Sequence, residues 1–328
     1  MMIRARRRCK IAPVVSLTMV LLVAMAAPAV RARSQNVPPE ALQALDKIYS
    51  GEPHEGLRMA RDMERANPDS PLGYLLEGEA RWSLIYCAAC EMKWGMVDAW
   101  KRSKSTQVWA DGENHDDAYM AATDKAIELA LAGTARTNNA TDHLYAGMGY
   151  ALKARLLGLR DESRAVAKVA VAARQEFLDA LALDPQMADA TAGLGLYNYY
   201  VDSLSGIVKV LRFFMGIPGG SKQDGIRQLE EGANNGVLMK VIARFYLAKN
   251  LRSFDLEYAR AAATMKSLVE EYPRNPAFLL MMGNLELEQG HTAEAEKTLR
   301  SVGDLEIRDE ECRERARRVA GEMLATIH

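Results

Sequence analysis

The stretch RQEFLDALALDPQMADATAGLGLYNYY, Arg174 to Tyr200, places small and large apolar residues at fixed distances before a proline. Counting back from Pro185, Ala180, Phe177 and Ala173 lie at offsets of 5, 8 and 12. Steps of three and four residues put these side chains on one face of a helix. The helix is expected to end at the proline, because the residue before a proline avoids the helical conformation. The pattern therefore predicts a helix whose small residues let a neighbouring helix approach closely.

Two further prolines are preceded by the same arrangement. The residues at these offsets are Leu268, Met265 and Ala261 before Pro273, and Met63, Ala60 and Gly56 before Pro68. Another set follows the one before Pro273 at a distance of 34 residues: Ala295, Leu299 and Val302. A period of about 34 residues is typical of the tetratricopeptide repeat, in which each unit is two helices and a turn. The chain resembles this family, whose small, aromatic, small, proline and glycine positions match Ala173, Phe177, Ala180, Pro185 and Gly193.

The resemblance implies an all-α fold. Its form would be an α-α superhelix, a tetratricopeptide-like solenoid of about five or six helical hairpins, over residues 33–328. The stretches 83–116 and 201–236 depart from the repeat and are predicted to be atypical insertions. The layout YNYYVDSL through GIPGGSKQDGIRQLEE, in the region 190–250, resembles the fungal inclusion-body-clearance proteins and their animal relatives. Within it, Ser221 and Asp224 predict a capping box at the start of a helix.

The first 32 residues form a separate segment. The basic stretch MMIRARRRCK precedes an uncharged run of 20 residues, IAPVVSLTMVLLVAMAAPAV, and small residues then stand at cleavage spacings. This layout predicts a bacterial-type secretory signal peptide. A run of that length also spans a bilayer, so an uncleaved N-terminal anchor is a second interpretation. Without residues 1–32 the chain has 36 basic and 43 acidic side chains, a net charge of −7, which disfavours nucleic-acid binding.

Cys87 and Cys90, in the motif CAAC, are the sharpest local feature. A thioredoxin-like redox pair needs a strand–helix context, and haem attachment needs histidine where Glu91 stands. Three interpretations remain. Both cysteines are small buried helix residues, a disulfide joins them to each other, or one of them pairs with Cys312.

The sequence contains no catalytic constellation. Its five histidines show no HExxH or HxH spacing: His54, His115, His143, His291 and His328. The motif DGENHDD lacks the order of a calcium loop, and GIPGGSK lacks the Gly-Lys-Ser/Thr ending of a phosphate loop. We therefore expect no enzymatic activity, no cofactor and no metal site.

The inner face of the superhelix is predicted to bind a protein or peptide. In the family, the second, fifth, ninth and twelfth positions of each first helix point inward. The residues predicted on this basis to contact a partner are Tyr197, Tyr246, Asn250, Ser253, Leu280 and Asn284. The two asparagines suit an extended peptide, because an amide both donates and accepts hydrogen bonds. A register shifted by one residue, with Ala248 as the packing position, would turn Lys249 and Arg252 inward instead.

The apolar segment Ile207–Ile217 has two interpretations, burial against adjacent repeats or contact with a membrane or partner. Together these features predict a non-catalytic protein-interaction scaffold in the bacterial periplasm or cell envelope. The alternative is a membrane-attached envelope assembly factor, held by an uncleaved N-terminus or by residues 207–217.

Overall fold

Helices dominate the computed structural model, which describes residues 37–89, 114–203 and 216–327 and contains no β-strand in those ranges. Their bounds are α1 Pro39–Tyr49, α2 Pro53–Ala66, α3 Pro71–Ala89, α4 His115–Thr137, α5 Ala140–Leu159, α6 Ser163–Leu183, α7 Ala188–Asp202, α8 Lys222–Asn235, α9 Lys240–Asn250, α10 Tyr258–Glu271, α11 Pro276–Glu288, α12 Thr292–Gly303 and α13 Glu310–Leu324. A π-helical turn, Leu251–Asp255, extends α9.

Consecutive helices pack against one another, which confirms the prediction of an all-helical superhelix of about five or six hairpins. The pairs are α1–α2, α3–α4, α5–α6, α7–α8, α9–α10 and α11–α12, and α13 packs on the last pair and on α3. The predicted signal segment 1–32, most of the 83–116 insertion and most of the 207–217 segment lie outside the described residues. Among the helices of the described ranges, none is both long and apolar enough to cross a membrane.

The spacing around Pro185 reflects close packing of three helices. Phe177 of α6 is fully buried, as is Ala180 one turn later. A Cβ atom added to Gly193 of α7 would lie 2.3 Å from this ring, and one added to Gly147 of α5 would lie 2.6 Å from it. Carbon atoms in contact normally sit about 3.5–4.0 Å apart. Glycine is therefore required on both sides of the ring, and the three helices approach closely because of it.

The same packing recurs in the last full hairpin. Ala295, Leu299 and Val302 of α12 are fully buried, and a Cβ added to Gly283 of α11 would lie 2.6 Å from the Leu299 side chain. The capping prediction also holds in part: Ser221 Oγ accepts a hydrogen bond from the backbone N–H of Asp224 at 3.2 Å.

The first hairpin contacts the C-terminal part of the chain. The Asn275 side chain caps α11 by accepting from two backbone N–H groups, and its Nδ2 donates to the Tyr49 carbonyl oxygen at 2.9 Å. Glu52 forms an ion pair with Arg274, and His54 Nε2 lies 2.6 Å from Asp309 Oδ2. A disulfide joins Cys87 of α3 to Cys312 of α13, 225 residues further on.

These contacts change the expected form of the inner surface. In an open solenoid each repeat contacts only its neighbours, so the first and last units stay apart. Here α1 to α3 contact the turn before α11 and the final helix, so the superhelix closes on itself. The inner surface is therefore not an open groove: closure encloses it around a cavity.

Candidate functional site

The enclosed surface contains a cavity of about 290 Å³ lined by residues of α1, α2, α3, α5, α9, α11 and the loop that leads into α13. Its most exposed lining residues are charged ones, Glu306 and Arg308, which mark the opening to solvent. Most of its buried lining residues are apolar or aromatic, and Glu79 and Asn275 are the polar exceptions. The Cys87–Cys312 disulfide and the bonded pair His54–Asp309 also border the cavity.

Aromatic rings form much of the wall. Phe245 of α9 is at the centre of this group, with ring centroids 5.6 Å from Tyr246, 5.7 Å from Phe278 and 6.0 Å from Tyr86. The contacts with Tyr246 and Tyr86 are edge-to-face, an arrangement that aromatic pairs favour. Three different helices are thus held together by their rings, which gives the cavity a rigid wall.

A buried ion pair lies in the same wall. Arg155 Nη1 of α5 donates to Glu79 Oε2 of α3 at 2.7 Å, and each side chain is only 9% exposed. Tyr49 Oη donates to the other Glu79 oxygen at 3.1 Å. The Arg155 guanidinium also lies 5.4 Å from the Tyr246 ring centroid and 5.9 Å from that of Trp82. Buried charges need such partners, because desolvation without them is costly.

The pKa values of this group respond to burial and to Glu79. Burial first, and then the negative charge of Glu79, raise the pKa of Tyr49 well above its ordinary range. Burial works against the charge of Arg155, yet the Glu79 carboxylate holds the pKa of that guanidinium above its ordinary value. Tyr49 therefore stays neutral and Arg155 stays charged at every physiological pH. The arrangement offers fixed hydrogen bonds and a fixed charge, which suit binding.

The cysteine alternatives left open by the sequence are resolved in favour of Cys312. Cys87 pairs with it, and both residues are buried. Cys87 therefore forms no bridge with Cys90, which lies outside the described residues. The bond joins α3 to α13 beside the cavity and holds the closed arrangement covalently.

Three of the six residues predicted to contact a partner lie in the core. Asn250, Ser253 and Leu280 are all fully buried. For Ser253 the physical reason is the π-helical turn Leu251–Asp255, which adds a residue to the turn and alters the register after α9. A partner has no access to these side chains in the closed form.

The shifted register describes this region better. Ala248 is fully buried, and the Lys249 ammonium lies 5.5 Å from the Tyr246 ring centroid and 6.0 Å from that of Tyr86. Lys249 thus faces the same aromatic group as Arg155. Arg252 instead turns away and donates its Nε to another side chain.

The other three predicted contact residues have different surroundings. Asn284 Oδ1 accepts the hydrogen bond from Arg252 Nε at 2.7 Å. Tyr197 is largely buried, and its hydroxyl donates to the Pro218 carbonyl oxygen at 2.8 Å. Tyr246 is half-buried and lines the cavity. Their role in partner binding stays a prediction, and Tyr246 has the accessibility that such a role needs.

Sequence reasoning missed most of the cavity wall. Glu79, Trp82 and Tyr86 lie three and four residues apart in α3, so they share one helical face. That spacing is a readable signal, because it places an acidic residue and two large aromatic residues on one face of the helix. The repeat pattern does not point to it, because the 34-residue period is weakest in this part of the chain. Arg155, 76 residues further on, could be paired with Glu79 only from the structure.

Comparison with protein-family models agrees with the repeat assignment over part of the chain. A family model described as tetratricopeptide repeat matches residues 257–311, which include α10, α11 and α12. A search of curated protein sequences finds no match. Among solved structures, the chain is similar to the C-terminal part of a repeat-containing protein from Cytophaga hutchinsonii, with 13% identity and a TM-score of 0.32. That alignment covers 86% of this chain and 80% of the other.

Proposed function

We propose that this chain, whose residues 257–311 match a tetratricopeptide-repeat family model, works as a non-catalytic scaffold that binds a protein partner through its cavity. Helical repeats of this kind serve as binding surfaces. The observation that carries the proposal is the aromatic wall of Tyr86, Phe245 and Tyr246. Tyr246 also faces Arg155 of a buried ion pair whose hydrogen bonds are already made.

The chemistry of the wall indicates what it binds. Protein interfaces draw most of their energy from a few large side chains that enter desolvated pockets, and polar residues surround these pockets. The cavity of about 290 Å³ has a mostly apolar lining and charged residues at its opening, which matches that description. Its volume is near the lower end of the range of roughly 300–1,000 Å³ usual for ligand pockets. We infer that one aromatic or large aliphatic side chain of the partner enters it.

Filling the cavity tests this inference. Ala277 of α11 is half-buried and lines the cavity, so Ala277→Trp would occupy the space from inside. A matched control is Ala259→Trp, because Ala259 is an exposed residue of the neighbouring helix α10. Both variants and the unmodified chain are panned against a random-peptide display library.

We expect the unmodified chain and Ala259→Trp to enrich peptides with an aromatic or large aliphatic residue at a fixed position. Ala277→Trp should lose binding of these peptides while keeping its helical circular dichroism. If the enriched peptides bind Ala277→Trp with unchanged affinity, the binding surface lies outside the cavity.

We also propose that the protein works in the bacterial periplasm or at the cell envelope. Two observations support this location: the N-terminal segment with signal-peptide layout, and the disulfide between α3 and α13. Disulfides persist in oxidising compartments and are rare in the cytosol. Fractionation of cells that express the full chain, with sequencing of the N-terminus, tests the location. A chain that begins near residue 33 in the periplasmic fraction is expected, and an intact N-terminus in the membrane fraction would favour the membrane-attached assembly factor.

A further inference from the structure

A cluster of metal-ligating side chains lies between α5 and α6, formed by residues that do not line the cavity. His143 comes from α5, and Glu176 and Asp179 lie three residues apart on one face of α6. One ligand atom from each residue can be chosen so that all three atoms lie within 4.8 Å of one another. We propose that these three residues bind a divalent transition-metal ion of the zinc class.

The geometry is close to that of a coordination site. In a tetrahedral zinc site with bonds of about 2.1 Å, the ligand atoms stand about 3.4 Å apart. His143 Nδ1 now lies 2.7 Å from Glu176 Oε2 and has to move away by less than 1 Å. The remaining separations have to close by about 1.4 Å or less, which small rotations of the Glu176 and Asp179 side chains supply. The three residues leave a fourth position for water.

The histidine is already oriented as a ligand. Its Nε2 lies 2.9 Å from Oδ1 of Asn138, the left-handed residue that ends α4. Ligating histidines usually donate the second ring N–H to an oxygen acceptor, which fixes the ring and its tautomer. With Nε2–H donated to Asn138, the lone pair of Nδ1 points toward the two carboxylates. A cation placed there satisfies all three groups.

Packing next to the cluster holds the two helices in place. Phe177, which follows Glu176 directly, fills the space beside Gly147 of α5. The His143 and Glu176 side chains are 11% and 16% exposed, so the site is shielded but open to an entering ion. One imidazole and two carboxylates form a mixed nitrogen and oxygen set, which suits zinc or manganese better than calcium.

The competing explanation is a simple ion pair between a protonated His143 and Glu176. The chain contains its own control for this, because His54 Nε2 lies 2.6 Å from a single carboxylate, that of Asp309. The two histidines differ in that the cluster at His143 has a second carboxylate and an oriented ring. The affinity for zinc should therefore depend on His143 and not on His54.

The experiment is calorimetric titration of ZnCl2 into the tag-free mature chain, with helical content checked by circular dichroism. We expect one zinc site whose affinity falls at least about tenfold in His143→Gln, in Asp179→Asn and in Asn138→Gly, and stays unchanged in His54→Gln. The Asn138→Gly change keeps the left-handed turn and removes only the oxygen acceptor. No zinc binding by the unmodified chain, or equal binding by His143→Gln and the unmodified chain, would overturn the proposal. Neither result would bear on the cavity, which shares no residue with this site.

Discussion

Replacing Gly193 by alanine tests the packing on which the repeat assignment rests. The added Cβ would lie 2.3 Å from the Phe177 ring, at least about 1.2 Å inside normal carbon–carbon contact. The ring cannot retreat, because Gly147 of α5 approaches it closely from another helix. Overpacking of this kind costs about 1–3 kcal/mol. Alanine in a helix also gains about 1 kcal/mol over glycine, which offsets part of that cost.

A second substitution separates the two effects. Gly321 lies inside α13, and a Cβ added there meets no atom within 4 Å. Gly321→Ala should therefore show the helix gain alone. We expect the free energy of unfolding of Gly193→Ala to be about 1–3 kcal/mol lower than that of Gly321→Ala, because both variants have the helix gain and only Gly193→Ala has the steric clash.

The assay is urea unfolding of the oxidised chain, followed by circular dichroism. Stability is compared through the midpoint and slope, and the slopes must agree for the comparison to hold. A double-mutant cycle with Phe177→Leu adds a specific check, since the smaller side chain should recover much of the loss. If Gly193→Ala and Gly321→Ala unfold at the same midpoint, Phe177 does not pack between α5 and α7 as described.

Three further outcomes are expected. Burial and a hydrogen bond with Glu77 raise the pKa of Glu64 to about 8, so Glu64 is protonated in the folded chain near neutral pH. The preference of the folded chain for protonated Glu64 stabilises it fully below the ordinary carboxyl pKa, and this stabilisation is lost as the pH rises toward 8. The melting temperature should therefore fall less between pH 5 and 9 in Glu64→Gln than in the unmodified chain. Arg155→Met should cost about 3–5 kcal/mol in urea unfolding because it leaves the Glu79 carboxylate buried without its cation, and adding Glu79→Gln should recover part of that loss. Reducing the disulfide between α3 and α13 should lower the free energy of unfolding by about 5 kcal/mol for a loop of this length. An unchanged urea midpoint under reductant would mean that the bond does not constrain the unfolded chain.

The repeats were predictable because their signal is local. The spacing of Ala173, Phe177 and Ala180 before Pro185 depends only on helical geometry, and the burial of these side chains follows from it. The same logic identified the Ala261 and Ala295 helices, whose apolar faces are buried. Helix stacking between neighbours is thus encoded within stretches of about 34 residues.

The candidate site was not predictable in the same way, because it depends on contacts between distant parts of the chain. Asn275 reaches the carbonyl of Tyr49, 226 residues away, and no periodic pattern records that pairing. The inward positions taken from the family assume an open curve, and one of them, Leu280, is fully buried. The π-helical turn after α9 added a register change that the family spacing does not contain.

Closure of the superhelix is the claim on which the cavity and its proposed role depend. Mapping the disulfides of the mature chain, oxidised in a glutathione buffer and digested without reductant, tests it most directly. A peptide that links Cys87 to Cys312 is expected, because the two Cα atoms lie 5.0 Å apart. A peptide that links Cys87 to Cys90, with Cys312 left as a thiol, would contradict closure and indicate an open superhelix.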